Sequence, residues 1–313
     1  MKQKQIIREF NRDIKIGNIK MVYKNCLCGS TNFTKLFNYD RYGLYHPVVI
    51  CKDCSLIMSN PQLTDLEYSK FYISDIYSQI YKGGVNFTEQ IDWRYKNSNP
   101  IFQYLEPIMK NNNLKKIIEF GCGGGWNLIP FRNNGFDVIG YDYSPKLINH
   151  GKNYYNLNLK QGSFDDVENV GDFDLIILNH VIEHFTDMEN SLEKLKKIIK
   201  PNGMIYVGLP NLELFVRGQF QNAHTYYFTK KTFKHYMEKF GFEVIELGKY
   251  DTTDHMHGIL KISEKNKEFL KINLKNEYKT QLKKIFFGVL KIRITGLLDS
   301  LNILWFVKKL LGK

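Results

Sequence analysis

No apolar run in the 313-residue chain is both long enough and free enough of charge to cross a bilayer as a helix, which takes about eighteen such residues. The first twenty residues mix Lys, Arg, Glu and Asp with isolated apolar side chains and lack the pattern of a secretory leader. These two absences set a cytoplasmic location as the expectation. Cysteine is scarce: four of the five lie between residues 26 and 54, and Cys122 stands alone. In a reducing compartment such clustering points to metal more than to disulfides. Acid is nearly missing from the C-terminus, where seven Lys or Arg between Lys283 and Lys313 face only Asp299. That stretch holds roughly half of the formal net charge of +12, so the basic balance is local.

What is present is ample for a core. Hydrophobic residues make up 43% and aromatic residues 14%, mostly Tyr and Phe, enough for one large domain and a small one. Residues 1–20 are polar and basic and read as an arm or a short strand. Residues 21–60 hold the cysteine cluster. Residues 61–110 show helical spacing with Tyr68, Tyr72, Tyr77 and Tyr81, and Gly83-Gly84 is expected to divide them into two helices. From 111 to 265, strands alternate with helices. Lys116–Phe120, Asp137–Asp142, Asn158–Gln161, Asp174–Asn179 and Met204–Leu209 read as strands; Leu128–Asn133, Pro145–Tyr155 and Leu192–Lys200 read as helices between them. The continuous apolar run of Asp174–Asn179 fits a strand buried on both faces. This alternation implies a doubly wound, mostly parallel α/β sheet. Helix Lys231–Phe240 is followed by two strands, Glu243–Leu247 and Gly258–Ile262, with no clear helix between them, so the sheet is expected to end in an antiparallel hairpin.

Between the first strand and helix of that region runs Glu119-Phe-Gly121-Cys-Gly123-Gly-Gly125. Glycines let a backbone turn sharply and approach a ligand, although alone such a loop is as readily a tight turn. A dinucleotide fingerprint needs glycine at its sixth position, and here that position is Trp126. An indole beside a pyrophosphate would obstruct the helix N-terminus, so a phosphate-free ligand fits better. Asp142 ends the next strand, where a carboxylate can accept from both ribose hydroxyls. Glu119 adds a second carboxylate, unfavourable beside a diphosphate and favourable beside a sulfonium or an amino group.

The loop is followed in order by GYDYSP, DFDLIILNHVIEHFTD and IIKPNGMIYVGLPN. Together these motifs, over about residues 100–265, resemble class I S-adenosylmethionine-dependent methyltransferases. The resemblance implies a Rossmann-like domain with a seven-stranded, mostly parallel sheet, and S-adenosyl-L-methionine as cofactor. It implies that Glu119, Gly121, Gly123 and Gly125 approach the methionine moiety, that Asp142 holds the ribose and that Tyr143 flanks the adenine. Gly162-Ser163 replaces the usual Gly-Asp, so Phe164 or Asp165 is expected at the adenine amino group. Asn179 and His180 end the fourth strand, where ligands bind in such sheets, and His180-Val-Ile-Glu183-His184 matches the family's His-x-x-Glu-His. Glu183 and His184 read first as capping and packing the following helix; His180 lines the cofactor pocket or hydrogen-bonds structurally.

Cys26-Leu-Cys28-Gly29 and Cys51-Lys-Asp-Cys54 supply two close pairs of thiols, and four thiolates can satisfy structural, tetrahedral Zn2+. The first pair is C-x-C rather than C-x-x-C, and Ser55 stands where a glycine is expected. Four reduced, unligated cysteines are the alternative. With LIMSNPQLTDLEYSKFY after it, the cluster resembles the N-terminal zinc-binding module of bacterial sugar methyltransferases, including C-methyltransferases of deoxysugar pathways, in which tyrosine-rich helices help cover the active site. In that group a histidine follows a glutamate after the fifth strand. His224 matches the histidine, but the glutamate position is Ala223, so enolising a ketosugar loses its base. O-methylation of a sugar hydroxyl in surface-polysaccharide or glycan biosynthesis is the expectation, with His224 as general base, Tyr226 as helper and His180 nearby. The alternative for His224 is capping the helix that begins near Thr229.

Other functions stay open: sugar C-methylation, methylation of RNA, protein or a small metabolite, and a non-catalytic cofactor-binding docking protein. Nucleic acid is disfavoured, because no Asn-Pro-Pro-Tyr follows the fourth strand. The expected partner is a sugar, nucleotide sugar or glycan. The basic amphipathic segment 266–313 reads as two helices broken near Gly296, serving as a membrane-surface helix, an oligomer contact, or a cover for the catalytic domain.

Overall fold

The computed structural model describes residues 2–74, 76–81, 87–168, 171–214, 217–248, 255–263 and 275–300. Gly83-Gly84, and the basic residues beyond 300, lie outside the described residues.

The catalytic sheet comprises β6 (Lys116–Phe120), β7 (Asp137–Asp142), β8 (Leu159–Gln161), β9 (Phe173–Asn179), β10 (Ile199–Pro210), β12 (Phe242–Leu247) and β13 (His255–Ile262). Their order is β12-β13-β10-β9-β6-β7-β8. Strands β6 to β10 run parallel, and β13 inserts antiparallel between β10 and β12. The expected hairpin therefore exists, with its second strand on the inside. Strand order reverses between β6 and β9, and such a reversal opens a ligand crevice at the carboxyl ends of both strands. Helices α5 (Asn99–Asn111), α6 (Leu128–Asn133), α7 (Pro145–Tyr155), α8 (Met188–Ile198) and α9 (Lys230–Lys239) accompany the sheet. Ile101, Phe102, Leu105 and Met109 of α5 bury against Ile117, Phe131 and Tyr206. This helix, expected in the tyrosine-rich lid, thus belongs to the catalytic core, as its i, i+1, i+4, i+8 apolar spacing permits.

The cysteine segment forms a second sheet from β2 (Phe33–Tyr39), β3 (Tyr45–Cys51) and β4 (Ile57–Ser59), and it takes a fourth strand from far along the chain, β11 (Tyr226–Tyr227). Tyr226 pairs with Met58 and Tyr227 with Ile57. Cys26, Cys51, Cys54, Leu56 and Met58 share one buried cluster with Ile118, Phe228, Phe233 and Tyr236 of the catalytic domain. The module is continuous with the catalytic core rather than a separate unit.

Residues 2–15, expected as an arm or strand, form helix α1 (Lys2–Lys15). Its Phe10 buries against Phe71, with ring centroids 5.5 Å apart, beside α2 (Asp65–Ile73) and α3 (Ile76–Tyr81). A short ladder of β1 (Met21–Val22) with β5 (Gln62–Leu63) ties this layer down. Helix α4 (Phe87–Lys96) follows. The C-terminal segment forms one helix, α10 (Lys275–Ser300), which continues through Gly296. Its Ile285 seats among Val48, Ile50, Ile57 and Tyr227 of the cysteine-module sheet. Tyr278 meets Thr34 at 2.8 Å, and Lys231 of α9 pairs with Glu277 at 3.2 Å. Among the described residues no helix is long and apolar enough to cross a membrane.

Candidate active site

The glycine loop leaves β6 at the strand-order reversal. Gly121 and Gly123 have φ of +64° and +59°, a left-handed backbone that side chains rarely adopt. A Cβ on Gly123 would lie 2.2 Å from the Trp126 ring, and one on Gly121 would lie 2.7 Å from Val181. Trp126 therefore folds back over the loop. Tyr95 of α4 donates to the Gly124 carbonyl at 2.6 Å, and the Arg94 guanidinium lies 4.9 Å from the indole centre. Gly125 differs: a Cβ there would meet Leu157 and Leu159, so this glycine lets the loop sit on the core and does not face a ligand.

Asp142 holds the loop in place. Its Oδ2 accepts from the Gly123 N–H at 2.8 Å and its Oδ1 from the Ser144 N–H at 2.8 Å. Each carboxylate oxygen has a further lone pair with which to accept from a hydroxyl. Glu119 is 1% exposed. Its Oε1 accepts from Asn127 at 2.7 Å, while Oε2 is buried and has no partner. Burial raises its pKa to about 8, the Asn127 bond opposing and the Asp142 charge adding to the shift. The orphaned oxygen and the cradle that Gly123 keeps open suit a ligand carrying an amino group. The donor set fits the sulfonium amino acid of S-adenosylmethionine.

The adenine-side expectations divide. Tyr143 is 45% exposed and lies nearly parallel to Tyr72 of α2, with centroids 6.4 Å apart. Phe164 packs between Phe120 and Phe185, closing the crevice edge. Asp165 pairs with Lys194 at 2.5 Å on the surface and is already committed there. Asn179 ends β9, and its Oδ1 would lie 2.6 Å from a Cβ on Gly208, so that glycine leaves the amide its room.

Four side chains expected to play separate parts form one cluster. His180 leaves β9 with φ +58°, a sparsely populated conformation for a side chain that recurs at functional sites, and its N–H donates to Gly208 at 2.7 Å. Its Nδ1 lies 3.2 Å from Glu183 Oε1. His184 Nε2 and His224 Nε2 are each 3.9 Å from the same oxygen. Glu183 is 1% exposed. Desolvation opposes its charge, yet the His180 bond and the surrounding imidazoles outweigh it and hold the carboxyl down at about 2. Burial keeps His184 and His224 below the ordinary histidine range. Neither the Glu183-His184 pair nor His224 caps a helix: Asp187 caps α8 and Thr229 caps α9.

Two catalytic expectations change. His224, the expected base, is only 3% exposed and is covered by the Gln221 amide. The side chain of His180 is 41% exposed. Tyr226, the expected helper, points into the cysteine-side core with Phe228. Tyr227 lies beside His224 instead, ring to ring at 5.9 Å. Successive side chains of a strand alternate in direction, and the run of aromatics 226–228 hid which one faces the histidines.

Residues the sequence did not single out complete the site. Asp40, 2% exposed, accepts from Tyr81 at 2.5 Å and from the Asn222 N–H at 3.3 Å. Thr225 donates to the carbonyls of Glu183 at 2.9 Å and Phe185 at 2.6 Å. These bonds fasten the 222–225 segment between the cysteine module, α3 and the end of β9. Only Asn127 gave a local signal, two turns of chain beyond Glu119 at a helix start.

The four cysteine sulfurs lie within 4.8 Å of one another. Cys26 and Cys54 approach to 3.3 Å and Cys28 and Cys51 to 3.7 Å. Sulfurs bound at about 2.3 Å to a tetrahedral ion stand about 3.8 Å apart, so the spacing suits a metal, and the cysteines are free thiols. Ser55 adopts φ +66°, matching Gly29 at +88°, so serine takes the turn expected of glycine. Tyr236 donates to Cys54 at 2.9 Å.

The sheet order, the loop and its two carboxylates define a class I, S-adenosylmethionine-dependent methyltransferase domain. Residues 93–247 match the family described as "Methyltransferase domain", so the chain carries that domain. Among curated proteins it is similar to ubiquinone biosynthesis O-methyltransferase of Rickettsia akari (strain Hartford), 32% identical over 108 residues, covering 32% of this chain and 43% of that protein. The protein of the same description from Pelagibacter ubique (strain HTCC1062) is 29% identical over 134 residues, covering 38% and 56%. The chain thus spans about half the length of the curated relatives it matches. Among solved structures, Burkholderia thailandensis 1,6-didemethyltoxoflavin-N1-methyltransferase, with bound 1,6-didemethyltoxoflavin and S-adenosylhomocysteine, superposes with a TM-score of 0.50 at 12% identity, covering 68% of this chain and 97% of that one. That likeness is one of fold.

Proposed function

We propose that the protein transfers the methyl group of S-adenosylmethionine to a hydroxyl oxygen, with His180 taking the proton. The observation that carries this is the half-exposed His180 at the end of β9, backed at 3.2 Å by the buried Glu183 carboxylate. A carboxylate held at about 2 only accepts hydrogen bonds, so Nδ1 of His180 carries the proton of that bond and Nε2 offers its lone pair. Methyl transfer needs an acceptor held in line and relieved of its proton. When bound, the cofactor supplies a methyl group on a cationic sulfonium. Glu119 and Asp142 bind and orient it, and Trp126 with Tyr95 shields the loop from water.

We assign the acceptor to a sugar or nucleotide sugar. Tyrosines of α2 and α3, with Arg41 against Tyr42 and Tyr81, form a polar aromatic wall suited to a polyhydroxylated ring. Ala223 at the glutamate position favours oxygen over carbon as the acceptor atom. The names of the curated relatives support a second reading, O-methylation in ubiquinone biosynthesis, for which a catechol serves as the probe acceptor. We assign the cysteine cluster to structural zinc. Incubation with labelled S-adenosylmethionine and either nucleotide sugars or a catechol separates the acceptor readings. Label in the sugar fraction, lost in His180→Ala, is expected; label only in the catechol would transfer the assignment to the second reading.

A further inference from the structure

We propose that Glu183, His184 and His224 form a second metal site, distinct from the cysteine cluster, that takes a divalent transition ion through one carboxylate and two imidazoles. Their ligand atoms lie within 4.8 Å of one another, with Glu183 Oε1 3.9 Å from Nε2 of both histidines. An ion about 2.1 Å from nitrogen and oxygen ligands draws them to about 3.4 Å from one another. The required contraction is about half an ångström for each of the two carboxylate–imidazole pairs.

The tautomer of His184 makes the arrangement specific. Its Nδ1 lies 2.8 Å from the Ala223 carbonyl, with the Tyr72 hydroxyl at 2.9 Å. A carbonyl only accepts, so Nδ1 is the protonated nitrogen. The side chain is 18% exposed, and with the ring proton held on Nδ1 the Nε2 lone pair faces the Glu183 carboxylate with no proton between them. Two electron-rich groups facing each other in a buried place call for a cation. A metal-bound histidine characteristically donates its other N–H to a backbone carbonyl in this way.

Glu183 supplies the second argument. It is 1% exposed, and its Oε2 is buried with no partner. A buried carboxylate is costly unless paired or coordinated, and the His180 N–H satisfies only Oε1. His180 is the most exposed member of the cluster, at 41% against 18% for His184, which places the entry path beside it. The Gln221 amide, which touches His224 Nε2, is the neighbour an ion would displace. Two imidazoles and a carboxylate leave at least one ligand position open, unlike the four cysteines.

The site is tested by loading the full chain with excess zinc, desalting it and measuring bound metal, with Glu183→Gln in parallel and circular dichroism as the control for folding. The expected result is one ion fewer per chain in Glu183→Gln. Equal metal in two folded proteins would overturn the proposal. If Glu183→Gln does not fold, X-ray absorption at the zinc edge of the wild-type chain decides. Nitrogen and oxygen neighbours at about 2.0–2.1 Å are expected, and a shell of sulfur alone would overturn the site. Neither readout depends on methyl transfer.

Discussion

Glu119 and Glu183 are both 1% exposed, yet their surroundings drive their proton affinities in opposite directions. Glu119 has one neutral donor and a neighbouring acid, so burial prevails and its pKa rises to about 8. Glu183 has three imidazoles around it and falls to about 2. Glu119 is therefore largely protonated at pH 7, and a cationic amino group arriving beside it favours loss of that proton. Calorimetry of S-adenosylhomocysteine binding at pH 7, in buffers of different ionisation enthalpy, should show proton release to the buffer. Glu119→Gln should remove that release, and an unchanged buffer dependence would refute the assignment. The stability of Glu183 has the opposite sense. With a folded pKa near 2 against an ordinary 4.5, its contribution is present above pH 4.5 and is lost as pH falls toward 2. The difference amounts to about 3 kcal/mol. Urea midpoints of the wild type should approach those of Glu183→Gln between pH 5 and pH 3; a constant gap would count against this. Gly123→Ala should cost at least tenfold in cofactor affinity, because its Cβ collides with Trp126; equal affinity in a titration would show that the loop relaxes freely.

At the scale of elements, β11 is the joint of the molecule. Two residues, Tyr226 and Tyr227, complete the cysteine-module sheet, and the segment just before them carries His224 and the carbonyl that orients His184. The thiol cluster is therefore physically linked to the histidine cluster through β4 and β11. Cys51→Ser with Cys54→Ser should bind one zinc fewer per chain than the wild type, melt several degrees lower and lose most methyl transfer while keeping the methyltransferase sheet. Full activity in a double variant that has lost that zinc would disconnect the two sites. This joint was not legible in the sequence, since a two-residue strand carries no periodicity and its partner lies about 170 positions earlier. Helix α1 was missed because its polar, basic composition masked the single face that buries Phe10. Most catalytic strands were legible because they are largely apolar runs or stop at a glycine. Lys116–Phe120 and Asp137–Asp142 coincide with the predicted bounds.

For the whole molecule, the sequence carried the cofactor half of the site and only scattered pieces of the acceptor half. The glycine loop, Glu119 and Asp142 sit within one βαβ unit, where local spacing determines proximity. His180, His224, Asp40 and Tyr72 come from four distant segments and meet only through tertiary packing, so linear spacing could not group them or show that His224 is enclosed. The two halves join at the strand-order reversal between β6 and β9, and there the account is most exposed to test. Isothermal titration of the full chain with S-adenosylhomocysteine addresses it directly. The account predicts one-to-one binding with Kd on the order of micromolar, weakened at least tenfold by Asp142→Ala. No heat of binding at millimolar ligand from a folded, zinc-loaded protein would contradict it.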